Sequence, residues 1–360
     1  MVEVSAVILA AGQSTRMNTR IPKVLHEVCG RPMLEWVLSA CRSAGVTKHY
    51  VVVGYGKDQI VAQYGADGDV RFVEQAEQRG TGHAVMCCRE HLAGFEGLTL
   101  VLCGDAPLIR TETVKTLIDK HVQEKSAVTL ATARMSDPAG YGRIVRDGYG
   151  NIQGIVEHND CTPEQRAISE INPGYFCFNT PLLLEALDKI TPNNKKNEYY
   201  LTDALHILLD GGHKATAVTA VAEEDAMGVN NRLQLSTVGK IMQQRIQDRL
   251  MAEGVTIVDP LNTWIDARAE IGQDTIIEPF TYLHGRIRIG ANSRIGAGCV
   301  TTDPSGHGAA AIVIGDGATI GPGSVLKAPA CVADGRTVAP GSVIGDGDQH
   351  TCNDQERHHA

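Results

Sequence analysis

The segment 9–17, LAAGQSTRM, has the features of a phosphate-binding turn. An apolar run at 4–9 leads into small residues, and the pattern predicts a helix after them. Small residues let backbone N–H groups approach a phosphate, and a helix N-terminus adds a favourable dipole. Arg16 and Lys23 follow, and two cations beside a bound phosphate would neutralise its negative charge. The alternative is a tightly packed turn without a ligand.

Asp105 stands just beyond a second apolar run, residues 98–103 (LTLVLC). In an open α/β sheet, ligands bind beyond the carboxyl ends of the strands. A carboxylate there suits Mg²⁺, which takes few protein ligands and completes its shell with phosphate oxygens. The alternative is an Asp that caps the turn before Pro107. Far downstream, Asn230 adjoins Asn231, and either amide could cap a helix N-terminus.

Two further side chains could recognise the organic parts of a nucleotide and a sugar. Gln75 offers a donor and an acceptor, which match the edge of uracil, and Glu157 could accept hydrogen bonds from sugar hydroxyls. Gly80 and Thr81 would let the backbone press against the base. The alternatives are an exposed polar residue for Gln75 and a surface carboxylate beside His158 for Glu157.

The elements that must position these residues follow an α/β pattern. Apolar runs at 4–9, 50–53, 98–103 and 127–132 alternate with helix-like stretches at 33–44, 81–93 and 111–124. Continuous apolar strands alternating with helices predict a mostly parallel sheet covered on both faces. A longer amphipathic helix of some twenty residues is predicted after residue 231, because its apolar residues recur every three or four positions. These residues are Leu235, Val238, Met242, Ile246 and Leu250.

The C-terminal part has a strict six-residue repeat, which is typical of a hexapeptide β-helix. The repeated aliphatic residues are Ile265, Ile271, Ile277, Leu283, Ile289, Ile295, Ile314, Ile320, Leu326, Val332, Val338 and Ile344. The segment 301–311, TTDPSGHGAAA, interrupts the series. Three repeats make one triangular coil, so we expect about four coils. Gly follows the aliphatic residue in several repeats, and we expect it to let the chain turn the corners.

Composition excludes several classes of protein. The formal net charge of −9 argues against a nucleic-acid partner, which requires clustered Lys and Arg. No run is long enough to span a membrane, and the N-terminus lacks the pattern of a signal peptide. The ten cysteines are scattered without zinc-ligand spacing, so we expect buried reduced thiols and a cytoplasmic location.

The order and spacing of the motifs give a specific resemblance. LAAGQSTRM followed by IPKVLHEVCGRPML resembles the signature of sugar-1-phosphate nucleotidyltransferases. The chain is similar, almost continuously over residues 5–250, to bacterial N-acetylglucosamine-1-phosphate uridyltransferases (UDP-N-acetylglucosamine pyrophosphorylases). The segments that carry this similarity are VEQAEQRGTGHAV (73–85), CGDAPLI (103–109), GYGRIVRD (140–147), GIVEHND (154–160), EINPG (170–174), EYYLTD (198–203) and GVNNRLQL (228–235).

The resemblance implies roles for individual residues. Arg16 and Lys23 would be catalytic, and Asp105 and Asn230 would bind Mg²⁺. The matching substrate-binding positions are Leu9, Ala10, Ala11, Gly12, Gln75, Gly80, Thr81, Gly104, Asp105, Gly142, Glu157, Asn172, Thr202 and Asn230. Tyr199, Tyr200 and Asp203 would shape the pocket. His26, His83 and His158 would be satisfied polar residues, because an ionised phosphate nucleophile needs no general base.

The resemblance also implies a domain plan. A Rossmann-like nucleotidyltransferase domain would occupy 1–228, a linker helix 229–254 and a left-handed parallel β-helix 255–346. The polar stretch 347–360 would be a disordered tail. Hexapeptide proteins usually form trimers, so we expect a homotrimer through the β-helix.

The implied reaction joins UTP to N-acetylglucosamine 1-phosphate, with pyrophosphate as the leaving group. Acetyl transfer is expected to be absent, because the segments that form that site in the bifunctional relatives are not found. Two departures from the family pattern, Pro173 in place of Thr and Cys103 in place of an aromatic residue, keep a different sugar 1-phosphate or nucleotide open. A nucleotide-sugar-binding scaffold without turnover is the other alternative.

Overall fold

The computed structural model describes residues 2–13, 15–302 and 312–345, and these form two compact units. The first unit comprises 1–26 and 32–238, and the second comprises 27–31 and 239–360. The predicted tail at 347–360 lies outside the described residues, as do Ser14 of the phosphate motif and most of the interruption in the repeat.

The first unit is built on a mostly parallel sheet. Its strands are β1 (Val4–Leu9), β4 (Lys48–Val53), β5 (Val70–Glu74), β6 (Leu98–Cys103), β7 (Val128–Arg134), β8 (Gly142–Arg146), β9 (Ile152–Val156), β10 (Glu170–Asn179) and β11 (Ala215–Val221). The order across the sheet is β11-β7-β10-β6-β1-β4-β5, with β8 paired to β10 and β9 paired to β8. Strands β1, β4, β5 and β6 pair in parallel, whereas β10 runs antiparallel to both of its neighbours in that order.

Helices cover both faces of this sheet, as the apolar strands predict. They are α1 (Met33–Ser43), α2 (Lys57–Tyr64), α3 (Thr81–Met86), α4 (Arg89–Leu92), α5 (Thr111–Glu124), α6 (Pro163–Arg166), α7 (Thr180–Leu187) and α8 (Thr202–Asp210). Leu34 and Leu117, from α1 and α5, belong to one buried cluster, and Val85 and Leu205, from α3 and α8, belong to another. The α/β fold predicted for this unit is confirmed.

Two predicted helices differ in the structure. The stretch 81–93 is two short helices, because the backbone tightens at Cys88, whose N–H donates to the Val85 carbonyl three residues back. At the end of the phosphate-binding segment 9–17, Thr15–Met17 forms a 3₁₀ turn instead of the predicted α-helix. Asn18, with φ 48°, has a left-handed backbone conformation that ends this turn. The prediction of a helix dipole beside the motif is therefore wrong.

Helix α9 (Arg232–Ala252) lies close to the bounds predicted for the long amphipathic helix. Its second half belongs to the second unit, where Gln243 and Gln247 are buried. The Gln243 amide donates to the carbonyl of Ile265 at 2.5 Å and accepts from its N–H at 2.9 Å. Gln243 therefore supplies hydrogen-bond partners to backbone groups at the open edge of the first strand of a sheet, where these groups would otherwise lack them.

The second unit is a left-handed parallel β-helix with three faces. Its strands are β12 (Thr256–Ile257), β13 (Trp264–Ile265), β14 (Glu270–Ile271), β15 (Ile276–Ile277), β16 (Tyr282–Leu283), β17 (Ile287–Ile289), β18 (Arg294–Ile295), β19 (Val300–Thr302), β20 (Ile312–Ile314), β21 (Thr319–Ile320), β22 (Val325–Lys327), β23 (Ala330–Val332), β24 (Thr337–Val338) and β25 (Val343–Ile344). Successive coils stack in register, for example Ile277 on Ile295. The faces are β12-β15-β18-β21-β24, β13-β16-β19-β22-β25 and β14-β17-β20-β23.

The aliphatic residues of the six-residue repeat fill the interior of this solenoid. Each of the twelve predicted positions is buried, and the most exposed, Ile271, retains only 8% of its surface. Thr301, at the next position of the series after Ile295, is also buried. The repeat therefore predicted both the fold of the second unit and its core.

The glycines that follow the aliphatic residues have a different role from the predicted one. A Cβ on Gly290 would lie 2.6 Å from the backbone nitrogen of Asp316 in the next coil, and one on Gly272 would lie 2.5 Å from that of Ala291. These positions are glycine because the coils stack closely. Left-handed backbone occurs instead three residues after the aliphatic residue, at Asp274, Phe280, Asn292, Gly298, Gly317, Gly323, Gly335 and Gly341.

A short hairpin from the N-terminal part of the chain belongs to the second unit. Strands β2 (Glu27–Val28) and β3 (Arg31–Pro32) flank a turn at Cys29 and Gly30, both with positive φ. The N–H of Ala267 donates to the Cys29 carbonyl at 3.0 Å. A Cβ on Gly30 would lie 1.9 Å from a carboxylate oxygen of Asp266, so only glycine fits this contact. Asp266 is buried and accepts hydrogen bonds from Arg268 and from the Gly285 N–H.

Within the described residues, no helix is long and apolar enough to cross a membrane. Eight of the described cysteines have free thiols, in agreement with the prediction of reduced cysteines. Cys331 is disulfide-bonded, so that prediction is wrong at this position.

Candidate active site

A cavity of about 500 Å³ opens in the first unit where strands β1, β5 and β6 end. This is the edge at which an open α/β sheet binds ligands. The residues that line it are Leu9, Ala10, Ala11, Gly12, Lys23, Val24, Gln75, Gln78, Gly80, Thr81, Ala84, Cys103, Asp105, Gly140, Glu157, His158, Asn159, Lys196, Glu198 and Tyr200. Ten of the predicted site residues are among them.

The Lys23 ammonium is the point on which the two predicted metal ligands converge. Its Nζ donates to a carboxylate oxygen of Asp105 and lies 3.2 Å from Oδ1 of Asn230. Arg16 also donates to that amide oxygen, at 3.0 Å. The four residues come from three distant parts of the sequence, yet they form one cluster of two cations and two oxygen ligands.

The structure separates the roles of the two adjacent asparagines. Asn231 caps helix α9, because its Oδ1 accepts a hydrogen bond from the Gln234 N–H at 2.9 Å. The Asn230 N–H donates to the Gln234 side chain at 2.8 Å. Asn230 Oδ1 is therefore not used for capping and faces Lys23 and Arg16.

Backbone contacts hold Asp105 and the segment before Asn230 together. The N–H of Val229 donates to the Asp105 carbonyl at 2.9 Å. The preceding turn is fixed by the buried Asp225, which pairs with Arg110 at 2.5 Å and whose carbonyl accepts from the Tyr175 hydroxyl at 3.1 Å. The Asp105 carboxylate binds Lys23 rather than capping its own turn, which removes the alternative considered for it.

The small-residue turn is held by strand-like hydrogen bonds. The Ala10 N–H donates to Val52 at 2.9 Å, and the Gly104 N–H donates to Leu9 at 3.0 Å. Gln78, which sequence reasoning missed, donates its amide to the Ala11 carbonyl at 2.7 Å. These bonds fix the backbone of residues 9–11 at the wall of the cavity.

Gln75, Gly80 and Thr81 line one part of the cavity together. Gln75 is buried, and its amide nitrogen donates to the Gly80 carbonyl and lies 3.0 Å from His83 Nδ1. Its carbonyl oxygen is the group left for a ligand, so the expected donor-and-acceptor pairing is reduced to an acceptor. Gly80 has φ 107°, and a Cβ there would lie 2.5 Å from the Tyr199 carbonyl. The glycine is therefore required by the segment around Tyr199.

Glu157 lines another part of the cavity, and the Thr202 hydroxyl donates to its carboxylate at 3.3 Å. Burial raises the pKa of Glu157, and the Thr202 hydrogen bond offsets this only in part. Gly142 lies on strand β8 beside it, since a Cβ there would lie 3.6 Å from a Glu157 oxygen. Asn172 pairs with Gly142 across the sheet, but its Oδ1 accepts from the Gly174 N–H at 3.0 Å.

The three histidines of the motifs differ in their surroundings. His83 contacts Gln75, as expected of a satisfied polar residue. The buried Nε2 of His26 has no hydrogen-bond partner among the described residues, so the prediction is wrong there, and burial lowers the pKa of this imidazole. His158 lines the cavity.

Arg16, Gly104, Gly142, Asn172, Thr202 and Asn230 do not line the cavity itself. Gly104, Gly142, Thr202 and Asn230 contact a residue that does, through the bonds and approaches given above, and Arg16 is connected to the cavity through Asn230. Sequence reasoning missed Gln78, Asn159, Lys196 and Glu198. Gln78 and Asn159 lie inside the motif segments, so closer attention to polar residues there would have found them. Lys196 lies outside every motif.

Within residues 2–13, 15–302 and 312–345, no group of three or more His, Cys, Asp or Glu side chains could hold a metal ion. A site with one carboxylate and one amide is instead the arrangement that Mg²⁺ uses when phosphates and water complete its shell. Asp105 and Asn230 each direct a side-chain oxygen at the Lys23 ammonium, so both oxygens face one cation.

Comparisons with known proteins agree with both units. Residues 6–176 match the MobA-like NTP transferase domain, and residues 268–303 match the bacterial transferase hexapeptide family with six repeats. A solved structure of UDP-glucose pyrophosphorylase complexed with UDP-glucose shares the fold, with a TM-score of 0.54, 18% identity, and coverage of 68% of this chain and 100% of that one.

Curated relatives share much higher identity. The bifunctional protein GlmU of Geobacillus sp. (strain WCH70) is 47% identical over 82% of this chain and 64% of its own length. GlmU of Trichlorobacter lovleyi is 43% identical over 90% of this chain and 74% of its own length. GlmU of Listeria innocua is 42% identical, with shares of 90% and 68%. The chain thus spans less than two thirds of the Geobacillus relative.

Proposed function

The chain belongs to the family of the bifunctional protein GlmU, and from this premise we propose that it is a uridyltransferase that makes UDP-N-acetylglucosamine. The substrates would be UTP and N-acetylglucosamine 1-phosphate. The observation that carries the proposal is the convergence of Asp105 and Asn230 on one cation beside the small-residue turn.

In the proposed reaction, a phosphate oxygen of the sugar 1-phosphate attacks the α-phosphorus of UTP. The bond from that phosphorus to the bridging oxygen breaks, and pyrophosphate leaves with the electron pair. Both reactants are anionic, so the protein must align them and neutralise their charge. No side chain has to remove a proton, because the nucleophile is already ionised.

Asp105 and Asn230 would hold the divalent cation, which we take to be Mg²⁺. When bound, such an ion neutralises phosphate charge and orients the reacting oxygens. The fit rests on the donor set, since both oxygens already face a cation in this structure.

Lys23 and Arg16 would contact the phosphates directly. Lys23 is only 15% exposed and sits at the cavity wall, where a cation acts strongly on charge at the α-phosphorus. Arg16 is exposed and donates to Asn230, so its guanidinium lies beside the metal-ligand pair, where it would hold the leaving pyrophosphate in the fork geometry that guanidinium groups favour.

The organic parts of the substrates would occupy different parts of the cavity. Gln75 would accept a hydrogen bond from the uracil N–H, with Gly80 and Thr81 beside the base. Glu157, fixed by Thr202, would accept hydrogen bonds from sugar hydroxyls. A different sugar 1-phosphate is the second candidate, because Asn172 uses its oxygen on Gly174 and does not line the cavity.

The two adjacent asparagines provide a matched test of this proposal. Asn230→Ala should abolish Mg²⁺-dependent pyrophosphate release, whereas Asn231→Ala should keep turnover and lose about 0.5–2 kcal/mol of stability, because it removes only a helix cap. Equal turnover in both variants would contradict the assigned metal site. A panel of sugar 1-phosphates and nucleoside triphosphates, assayed by pyrophosphate release, would then decide the substrates.

Assembly into a homotrimer through the β-helix is part of the proposal. The outward residues of one face, Trp264, Tyr282, Val300, Val325 and Val343, are all apolar, although Tyr282 and Val343 are 42% and 57% exposed. An exposed apolar column of this kind is typical of an interface. Light scattering after size exclusion should give three chains for the wild type and fewer for Val325→Asp.

The absence of acetyl transfer and the cytoplasmic location remain predictions. Incubation with acetyl-CoA and glucosamine 1-phosphate should release no CoA. Clear CoA release would contradict the first of these predictions.

A further inference from the structure

Lys196 is a cation in the cavity wall that no motif predicted. Lys23 and Lys196 are the two lysines that line the cavity, and Lys23 is held by Asp105 and Asn230. Lys196 has no ion pair or hydrogen bond from its ammonium among the described residues. Its neighbour Lys195 differs, since Lys195 donates to the Asn159 carbonyl at 2.6 Å.

The backbone around Lys196 is organised by a single side chain. Oδ1 of Asn194 accepts from the N–H groups of Lys196 and Glu198, at 3.1 and 3.2 Å, and its amide donates to the Glu198 carbonyl. Asn197 has φ 55°, a left-handed conformation that Asn tolerates. The tight turn therefore sets the direction in which Lys196 leaves the backbone.

Hydrogen bonds connect this turn to the cavity wall near Thr81 and near Glu157. On the side of Thr81, the Tyr199 N–H donates to Arg79 at 2.8 Å, and the Leu201 N–H donates to the Thr81 hydroxyl at 3.1 Å. On the side of Glu157, Lys195 bonds to Asn159, the second residue after Glu157. We call residues 194–201 the strap, because this segment connects the wall near Thr81 with the wall near Glu157.

The charges around Lys196 are acidic. Glu157 and Glu198 line the cavity with it, and Asp160 and Asp203 lie close enough to Glu157 to raise the pKa of that carboxyl further. Lys196 acts in the opposite direction on the same carboxyl. Without Lys196, a doubly anionic sugar phosphate would approach a wall with uncompensated negative charge.

We propose that Lys196 is a substrate-binding residue that recruits the anionic sugar 1-phosphate, and that the strap positions its ammonium for this contact. The inference rests on the proposed uridyltransferase function and deepens it. Lys196 acts on binding of the sugar phosphate and not on the chemical step, because the reacting phosphorus is served by Lys23 and the metal ligands.

The test is a steady-state comparison of Lys196→Gln with the wild type, with N-acetylglucosamine 1-phosphate as the varied substrate. KM for this substrate should rise about 3- to 10-fold, with kcat held within about twofold, because one charge-assisted contact from an exposed lysine is lost. Lys196→Arg should restore most of the loss. The dependence of kcat/KM on ionic strength should weaken in Lys196→Gln, which a purely structural change would not produce.

Lys214→Gln is the matched control, because Lys214 is exposed, pairs with Glu124 and does not line the cavity. Its KM and salt dependence should equal those of the wild type. Asn194→Ala, which loosens the strap, should raise KM as Lys196→Gln does. If Lys196→Gln matches Lys214→Gln while the wild type turns over, the inference on Lys196 is wrong and the proposed function stands. If the wild type releases no pyrophosphate with any sugar 1-phosphate, the proposed function itself is wrong.

Discussion

The α/β unit and the solenoid place their important residues in opposite ways. In the α/β unit, Arg16 and Asn230 meet although 214 positions separate them, and no periodicity connects them with Asp105. In the solenoid, the stacking contacts of the interior residues recur from coil to coil, as Ile277 on Ile295 and Ile320 on Val338 illustrate. One unit depends on a few irreplaceable side chains, and the other distributes its stability over equivalent ones.

This difference has a physical origin. A catalytic cluster needs particular charges at one point, and only tertiary structure brings them there. A solenoid buries one side chain in each repeat, so the residues that it requires recur at a fixed spacing in the sequence. Substitutions should therefore affect activity in the first unit and stability in the second, and four predictions test this contrast.

The largest expected effect is on turnover. Lys23→Ala should reduce kcat by about 10²–10³, because a preorganised cation at the reacting phosphate is lost. Circular dichroism should show a folded protein, since Lys23 lies at a cavity wall. Lys57→Ala, which breaks the exposed pair with Glu74, is the control and should be near wild type. Wild-type turnover in Lys23→Ala would remove this residue from the site.

The second effect is on the stability of the solenoid. Ile320→Ala should lower the free energy of unfolding by about 2–5 kcal/mol, because it leaves a cavity between stacked coils. Thr319→Ala changes the outward residue of the same strand and should cost much less. Urea denaturation of both variants would measure the difference. Equal losses would show that the interior position is not special.

The third effect separates coil stacking from turn conformation. Gly290→Asn should destabilise the solenoid by about 1–3 kcal/mol, because the new side chain meets the backbone of the next coil. Gly323→Asn should cost less than about 1 kcal/mol, since that corner is open and Asn tolerates its left-handed φ. Asn292 already occupies an equivalent corner. Thermal melts of the two variants should rank in this order, and the reverse ranking would restore the turn hypothesis.

The smallest effect concerns pH. Burial raises the pKa of Glu157, so this carboxyl takes up a proton at a higher pH than an exposed Glu does. As pH falls through that pKa, the carboxylate that accepts sugar hydroxyls is lost and kcat/KM for the sugar phosphate should decline, by at most about tenfold per pH unit for one proton. Glu157→Gln should remove this acidic limb. An unchanged pH profile in that variant would exclude Glu157 as its source.

The sequence predicted most of the architecture and part of the site. The spacing of apolar residues predicted the main parallel strands and the solenoid core, because a buried strand or repeat shows this spacing within a short stretch of sequence. The resemblance predicted Asp105 and Asn230 as the metal ligands, whereas the residues alone could not choose between Asn230 and Asn231. The hydrogen bond from the Gln234 N–H to Asn231 identifies Asn231 as the helix cap, and this bond is visible only in the folded structure.

Other features depended on contacts between distant segments and could not be foreseen. Lys196 lies in a polar turn without periodicity, and its place in the cavity follows from bonds to Arg79, Thr81 and Asn159. The role of Gly290 depends on the next coil, which sequence spacing does not distinguish from a turn requirement. The break at Cys88 likewise follows from local tightening inside an apparently continuous helical pattern.

Residues 27–31 pack with the solenoid although the chain places them near the start of the α/β unit. The two units therefore cannot be separated by one cut. A chain ended at residue 238 would keep this hairpin but lose Asp266 and Ala267, against which Gly30 and Cys29 fit. The same constraint applies to a chimera of two relatives. An exchanged solenoid must be accompanied by its own version of residues 27–31, or the hairpin will not fit the buried Asp266 carboxylate.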